Sequence, residues 1–354
     1  MGWTFEMTRA FVLMTAMPPT KGHAALIEFA THVANEVVVV VNTQPDEPYV
    51  KERVRSLQDR YQIGSRVRIT NIHQTLPQEP EDDPGFWPMW MGFLSDKGFR
   101  FGDYIVASEK YGKTLADKAG GVFIPFDMDR TFDRSKATSV RDYTRQYFSD
   151  ILPEFQPYLR QRVTIFGAES TGKTTLAETL GRTSNLDGGG HFVFEWARPY
   201  MENFEPEVTT QVMINIWTGQ RALQKQAAVL KDKAFVVQDT DLFSTVGYWD
   251  MWTSKLGAVP DGLIEDATAD KSDLYIITRS NIPFEPDPLR FGGDKREGSD
   301  EYWIGVAEKY NLNYVILDSS DRYTRLDEAF TVLDDHWDKT VHMQYHRKGK
   351  EYRK

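Results

Sequence analysis

The chain contains no cysteine. Disulfides, cysteine-ligated zinc, iron–sulfur clusters and thiol nucleophiles are thereby excluded, and a reducing compartment fits the composition without being required by it. Long apolar runs are absent too. None exceeds Val37–Val41 in length, far short of the roughly 20 residues that cross a bilayer. The opening residues MGWTFEMTRAFVLM lack the apolar stretch and small-residue cleavage site of a secretory signal. A cytoplasmic location and no membrane partner are therefore expected. Positive charge is in deficit, with 42 Lys and Arg against 52 Asp and Glu and a formal net charge of -10. Such a balance argues against a nucleic-acid partner, because a phosphate backbone demands a broad basic surface. A small anionic ligand needs only a local cluster of cations and amides. No repeat of solenoid period is present.

What is present is an ordinary globular composition, 40% hydrophobic and 27% charged over 354 residues, enough chain for two domains. Two segments have the same form. Phe11–Met14 is an apolar run that meets a Pro/Gly-containing loop, Met17–Gly22, and then a helical pattern, His23–Ala34. Val163–Phe166 meets a Gly-rich loop and a helical pattern, Lys173–Leu180. Each reads as the strand–loop–helix opening of a nucleotide-binding α/β domain, so two separate nucleotide sites are expected. Between and after these openings, strands are predicted at Glu36–Val41, Val67–Ile72, Gly102–Ala107, Gly121–Pro125, Phe192–Glu195, Ala234–Gln238, Leu274–Thr278 and Asn313–Leu317, and a helix at Glu52–Tyr61. Thr75–Pro88 and Pro283–Gly298 read as loops. Alternation of strands with helices favours parallel sheets. The fold class is thus α/β with two parallel-sheet nucleotide-binding domains. Pro153 and Pro157 mark the boundary, giving domains at 1–155 and 160–341 and a basic tail at 342–354.

The strongest motif is Gly167-Ala-Glu169-Ser170-Thr171-Gly172-Lys173-Thr174, which matches G-x-x-x-x-G-K-[ST] at every fixed position, after a strand and before a helix. The glycines let the loop curl so that backbone N–H groups point at phosphate oxygens, and the helix start, through Thr175, adds partial positive charge. Lys173 is expected to bridge the outer phosphates of ATP and the Thr174 hydroxyl to ligate Mg²⁺. Glu195, at the end of the next predicted strand, can accept a proton from an attacking hydroxyl; Arg198 follows it. Asp239 and Asp241 close the run Phe235–Val237, where a carboxylate supports Mg²⁺ or orients substrate. Spacing does not decide which does which. Arg290, Lys295 and Arg296 sit in a loop that resembles the cationic lid of a small-molecule kinase, a solvated basic loop being the plainer alternative.

In the first half, Thr20-Lys21-Gly22-His23 resembles the (H/T)-x-G-H signature of nucleotidylyltransferases, in which an imidazole at a helix start donates to an ATP phosphate. Lys136-Ala-Thr138-Ser-Val-Arg141 resembles that superfamily's ISxTxxR motif, with Lys136 where the Ser usually stands. Trp87 and Trp90, placed in a loop by this reading, suit a flat cation, since an indole face attracts positive charge. A hydrophobic plug is the alternative.

Taken together and in order, these motifs are similar to the NadR-type family of bifunctional proteins, in which a nicotinamide mononucleotide adenylyltransferase precedes a ribosylnicotinamide kinase. The likeness also includes Ala107-Ser108-Glu109 and Arg130-Thr131-Phe132 and runs from about Phe11 to about Asp338. It implies a Rossmann-like nucleotidylyltransferase followed by a P-loop kinase. ATP is the co-substrate with Mg²⁺ as cofactor, and nicotinamide riboside, nicotinamide mononucleotide and NAD are the partners. A homo-oligomer is compatible with it. The implied roles are catalytic for His23, Arg141, Lys173, Glu195 and Asp239. Thr20, Lys21, Gly22, Lys136 and Thr138 would hold the first ATP. Trp87 and Trp90 would contact the nicotinamide ring, a pyridinium cation. Arg198 and Asp241 join Glu195 and Asp239 around the riboside. Enteric members carry a helix-turn-helix segment first; none is expected here, and hence no repressor function. Two other readings keep the same folds: a nucleoside kinase fused to a different cofactor adenylyltransferase, and a protein that senses nucleotides to regulate a partner.

Overall fold

The computed structural model describes residues 8–77, 83–132, 137–205, 207–284 and 298–342. The chain divides into two compact units, the first running to Tyr158 and the second spanning Leu159–Val341. Of the sequence-based site residues, Lys136, Arg290 and Arg296 lie outside the described residues, as do Lys295 and most of the basic tail.

The first unit is built on five parallel strands: β1 (Arg9–Met14), β2 (Glu36–Thr43), β3 (Val67–His73), β4 (Tyr104–Ala107) and β5 (Val122–Pro125), in the order β3-β2-β1-β4-β5. The second has five more: β6 (Gln161–Phe166), β7 (Gly190–Val193), β8 (Phe235–Asp239), β9 (Leu274–Thr278) and β10 (Tyr314–Leu317), in the order β10-β9-β6-β8-β7. The strands are short, and the central ones are mostly apolar and buried along nearly their whole length: Val37–Val41 is at most 1% exposed and Phe235–Val237 is wholly buried. Continuous burial without alternation is what a parallel sheet covered on both faces demands. In both sheets the chain goes to one side of its first strand and later returns to the other, so right-handed crossovers place the two sets of helices on opposite faces. The reversal falls at β1 in one sheet, between β2 and β4, and at β6 in the other, between β8 and β9. Ligands of open parallel sheets bind outside the carboxyl ends of the strands at this point. Both loops singled out in the sequence leave there.

The predicted strands all occur, with ends shifted by a few residues. Two shifts bear on function. The seventh strand ends at Val193, not Glu195; a helix, Ala197–Asn203, follows at once with Pro199 in its first turn, where a missing N–H costs nothing. Glu195 therefore stands in the turn between them. Trp87 and Trp90 lie on a helix, Phe86–Asp96, rather than in a loop. Pro88 is likewise in a first turn, so its presence starts the helix instead of preventing it.

Candidate functional site

In the second unit, β6 ends at Phe166 and the helix Lys173–Arg182 begins seven residues later. The intervening loop turns at glycine-only geometry. Gly167 has φ 127°, and a Cβ there would lie 2.9 Å from the carbonyl oxygen of Thr278; Gly172, the residue before the helix, has φ 81°. Thr171, fully buried, braces the loop: its hydroxyl donates to the Ala168 carbonyl at 2.9 Å and meets the Thr278 hydroxyl at 2.7 Å. Lys173 Nζ donates to the same Ala168 carbonyl at 2.6 Å. A loop so anchored presents its amides to one concave space, and the cleft there has a volume of about 1060 Å³ and is lined by Ala168–Leu176, Glu195 and Arg198.

Three of the sequence-predicted acids face different fates. Asp239 closes β8 beside Ile165 of β6, next to the loop. Burial raises its pKa, against the pull of Thr174, Lys173 and Arg198. Glu195 reaches the same place from the β7 side. Burial first, and the charge of Asp239 second, push its carboxyl up to about 7, while Lys173 and Arg198 hold it down. A carboxyl poised there can take a proton from a substrate hydroxyl. Asp241, by contrast, is spent on the fold. It is 1% exposed and caps the helix Leu242–Met251, accepting from the amides of Phe243 at 3.0 Å and Ser244 at 3.3 Å, and from the Tyr275 hydroxyl at 2.6 Å. Neither Asp241 nor Asp239 is among the residues lining the cleft; what sets Asp241 apart is that its carboxylate is engaged by the helix start and by Tyr275. The two acids differ in what holds them: Asp239 ends β8 near Thr174 and Lys173 of the loop, whereas Asp241, beyond the strand, caps the next helix. Arg198 lies one turn beyond Glu195, its guanidinium paired with Glu202 at 2.6 Å.

The same residues fit Mg²⁺. Asp239 Oδ1 is a buried oxygen with no hydrogen-bond partner, beside the Thr174 hydroxyl. One carboxylate and one hydroxyl, with phosphates and water completing an octahedron, is how Mg²⁺ is held at such loops. Among the described residues no group of three or more His, Asp or Glu offers a cage independent of a nucleotide.

Beyond the motif, the cleft wall includes Ser244, Thr245, Tyr248, Trp252, Trp303 and Arg325, none of which the sequence singled out. They come from helices whose spacing reads only as amphipathic. Arg325, in the first turn of the helix Arg322–Thr340, is the one whose signal was available, as a cation just past the last strand.

In the first unit, the loop after β1 reaches the helix Lys21–Val33, with Thr20 as its cap. The cap is reciprocal: His23 N donates to Thr20 Oγ1 at 3.4 Å, and Thr20 N donates to His23 Nδ1 at 3.0 Å. Because a backbone N–H can only donate, Nδ1 is the acceptor and the neutral ring carries its proton on Nε2. The backbone N–H of Thr20 thus fixes the tautomer of His23, and the Thr20 hydroxyl lies 2.8 Å from the same Nδ1. The loop is pinned at Pro19, whose carbonyl accepts from Leu152 N at 2.9 Å, and at Thr15, whose carbonyl accepts from Arg53 Nη1 at 3.3 Å. Arg53 is itself paired with Glu47 at 2.6 Å, both side chains at most 1% exposed. Arg141 lies on the short helix Ala137–Asp142 with its guanidinium 3.7 Å from Asp142 and largely buried, while Thr138 is exposed. Glu109, two residues past β4, lies 3.7 Å from Arg130. Lys21 is exposed and Gly22 half-buried at the helix start. Trp87 and Trp90 are half-buried and pack on the core of Phe11, Leu13, Leu94 and Leu115; the Lys118 ammonium lies 5.7 Å from the Trp87 ring centre. That ring already faces a cation.

Residues 162–325 match the protein family described as an AAA domain, a match that spans the phosphate loop and ends at Arg325. The chain is 21% identical over 323 residues to the trifunctional NAD biosynthesis/regulator protein NadR of Salmonella typhimurium, covering 86% of this chain and 77% of that protein. It is 21% identical over 327 residues to the NadR of Escherichia coli, covering 87% and 78%. Among solved structures it is similar to a NadR protein in complex with NAD and AMP-PNP, with a TM-score of 0.61 and 20% identity over 98% of this chain and 99% of that one. A NadR protein in complex with NR gives the same TM-score and identity over 97% and 98%. The likeness to NadR proteins read from the motifs thus runs through both units and shares their fold.

Proposed function

We propose that the chain is a bifunctional transferase of NAD salvage. Its second unit phosphorylates nicotinamide riboside with ATP; its first transfers the adenylyl group of a second ATP to the resulting mononucleotide, releasing pyrophosphate. One observation carries the reading: each unit sets a helix N-terminus and a basic or imidazole side chain at the reversal point of its own parallel sheet, in a chain similar from end to end to NadR proteins. Both NAD with an ATP analogue and nicotinamide riboside are ligands of the similar solved structures.

In the second unit Glu195 orients the 5′-hydroxyl and accepts its proton as the γ-phosphoryl transfers in line. Lys173 and the loop amides neutralise charge on the phosphates. Thr174 and Asp239 would hold Mg²⁺, which supplies charge neutralisation between the outer phosphates when bound. Arg198 holds down the charge of the Glu195–Asp239 pair, and Arg290 and Arg296, outside the described residues, are assigned to neutralising charge on the transferring phosphoryl group. In the first unit the mononucleotide phosphate attacks the α-phosphorus. His23 donates from Nε2, and Lys21, Arg141 and Lys136 stabilise the charge that develops on the leaving pyrophosphate. Gly22 allows close approach, Thr20 and Thr138 hold the triphosphate, and Trp87 and Trp90 flank the pyridinium ring.

The test supplies nicotinamide riboside, ATP and Mg²⁺ and follows mononucleotide and dinucleotide separately. Lys173→Ala is expected to abolish the first product while leaving conversion of added mononucleotide intact, and His23→Ala to do the reverse. Mononucleotide formation at the normal rate by the Lys173→Ala protein would overturn the assignment of the second unit; normal dinucleotide formation by the His23→Ala protein would overturn that of the first.

A further inference from the structure

Arg325 is 5% exposed, and three of its donors go to neutral oxygens on three different connections. Nη1 donates to the Thr171 carbonyl at 2.7 Å, Nη2 to Asn281 Oδ1 at 2.6 Å and Nε to the Ser319 carbonyl at 2.8 Å. Asn281 is itself fixed, its amide donating to the Asp318 carbonyl at 2.6 Å. These connections leave the carboxyl ends of β6, β9 and β10, which are neighbours in the sheet. A guanidinium is a planar fork whose donors diverge at set angles, so it can join three such loops at once where an ammonium cannot. Burying a cation costs desolvation; here the return is loop geometry.

The peptide between Thr171 and Gly172 is trans. In a trans peptide the C=O and the N–H point in opposite directions. Fixing the Thr171 carbonyl against Arg325 therefore fixes the Gly172 N–H in the direction away from Arg325. We propose that Arg325 is a positioning residue for ATP in the second unit, acting through the Thr171–Gly172 peptide to aim an amide at a phosphate oxygen before the nucleotide arrives. A loop whose amides are set in advance does not reorganise on binding. Losing the fork should therefore weaken phosphate binding while sparing the other substrate.

This inference rests on the kinase reading of the second unit, and the experiment separates the two. Arg325→Gln and Arg325→Lys are made in the full chain and assayed with nicotinamide riboside and ATP. For Arg325→Gln the KM for ATP is expected to rise tenfold or more, with the KM for the riboside and the adenylyl transfer of the first unit within twofold of the parent. Arg325→Lys, which keeps the charge and part of the bonding, falls between. An ATP KM within twofold of the parent in Arg325→Gln overturns the proposal. So does an equal rise in both KM values with Arg325→Lys no better than Arg325→Gln, which is the result of a merely structural brace. If the parent phosphorylates no riboside, the functional reading fails and calorimetric titration with AMP-PNP decides the inference. The binding event removed by Lys173→Ala identifies the second unit's site, and that event must weaken at least tenfold in Arg325→Gln; unchanged affinity overturns it.

Discussion

Replacing Glu47 with Gln in the first unit should be among the most destabilising single changes in the protein. Glu47 and Arg53 form an ion pair at 2.6 Å with both side chains at most 1% exposed. Glu47 Oε2 also accepts from the Gln44 amide at 3.1 Å, and Arg53 reaches the Thr15 carbonyl at 3.3 Å. The pair therefore ties the exit of β2 to the exit of β1. With an effective dielectric constant near 20 and charge centres about 4 Å apart, the attraction is about 4 kcal/mol. Deleting one partner leaves the other charge buried and uncompensated, an effect measured at roughly 3–5 kcal/mol in comparable pairs. For a unit of this size each kcal/mol moves the midpoint by about 2–4 °C, so the drop should be about 6–20 °C. Glu47→Leu with Arg53→Met removes both charges and should recover most of the loss, because a buried pair and a well-packed apolar pair are often close in free energy. Differential scanning calorimetry of the parent, Glu47→Leu, Arg53→Met and the double variant gives the coupling. Adenylyl transfer should fall in Glu47→Gln, since Thr15 precedes the His23 loop, while riboside phosphorylation persists. A midpoint within 2 °C of the parent, or a double variant no better than the single, would refute the reasoning.

Three further outcomes are expected. His23→Asn can still accept from the Thr20 amide but has no counterpart of Nε2–H; loss of one such donor costs about 100- to 1,000-fold in adenylyl transfer, with unchanged helix content by circular dichroism, and a smaller loss would remove His23 from the chemistry. Asp239→Asn should lower the riboside phosphorylation rate about a thousandfold, or roughly 4 kcal/mol, and raise the Mg²⁺ concentration for half-activity; an unmoved Mg²⁺ dependence would mean that the orphaned Oδ1 is not a ligand. His336 is buried, donates from Nε2 to Gln161 Oε1 at 2.9 Å, and has its pKa lowered chiefly by desolvation. A depressed pKa contributes stability that is fully present above the unfolded value of 6.5 and is lost as pH falls below it toward the folded value. The urea midpoint of the second unit should therefore fall on acidification from pH 7.5 and fall less in His336→Gln; equal slopes in the two proteins would contradict this.

The local chemistry of both sites was legible in the sequence. The phosphate loop, the Thr20–His23 helix start and the short β-branched runs are each specified by fewer than ten consecutive residues, and their conformations follow from glycine, capping and pattern alone. The loop–helix assignment of Trp87 and Trp90 went astray because Pro and acidic residues before them signal a turn, whereas Pro88 is tolerated in a first helical turn.

Composition and motif order determined two α/β units, two anion cradles and the absence of thiol chemistry, since each of these is a property of neighbouring residues or of counts. Only the tertiary structure decided that Asp239 lies beside Thr174 and Lys173 while Asp241 caps the next helix, that Glu195 shares the field of Asp239, and that Arg53 and Arg325 brace the two loops. Thr171 and Arg325 are 154 residues apart in the chain, and their meeting depends on β6, β9 and β10 being neighbours. Strand order is set by burial of whole faces and by crossover handedness, so no short stretch of sequence encodes it.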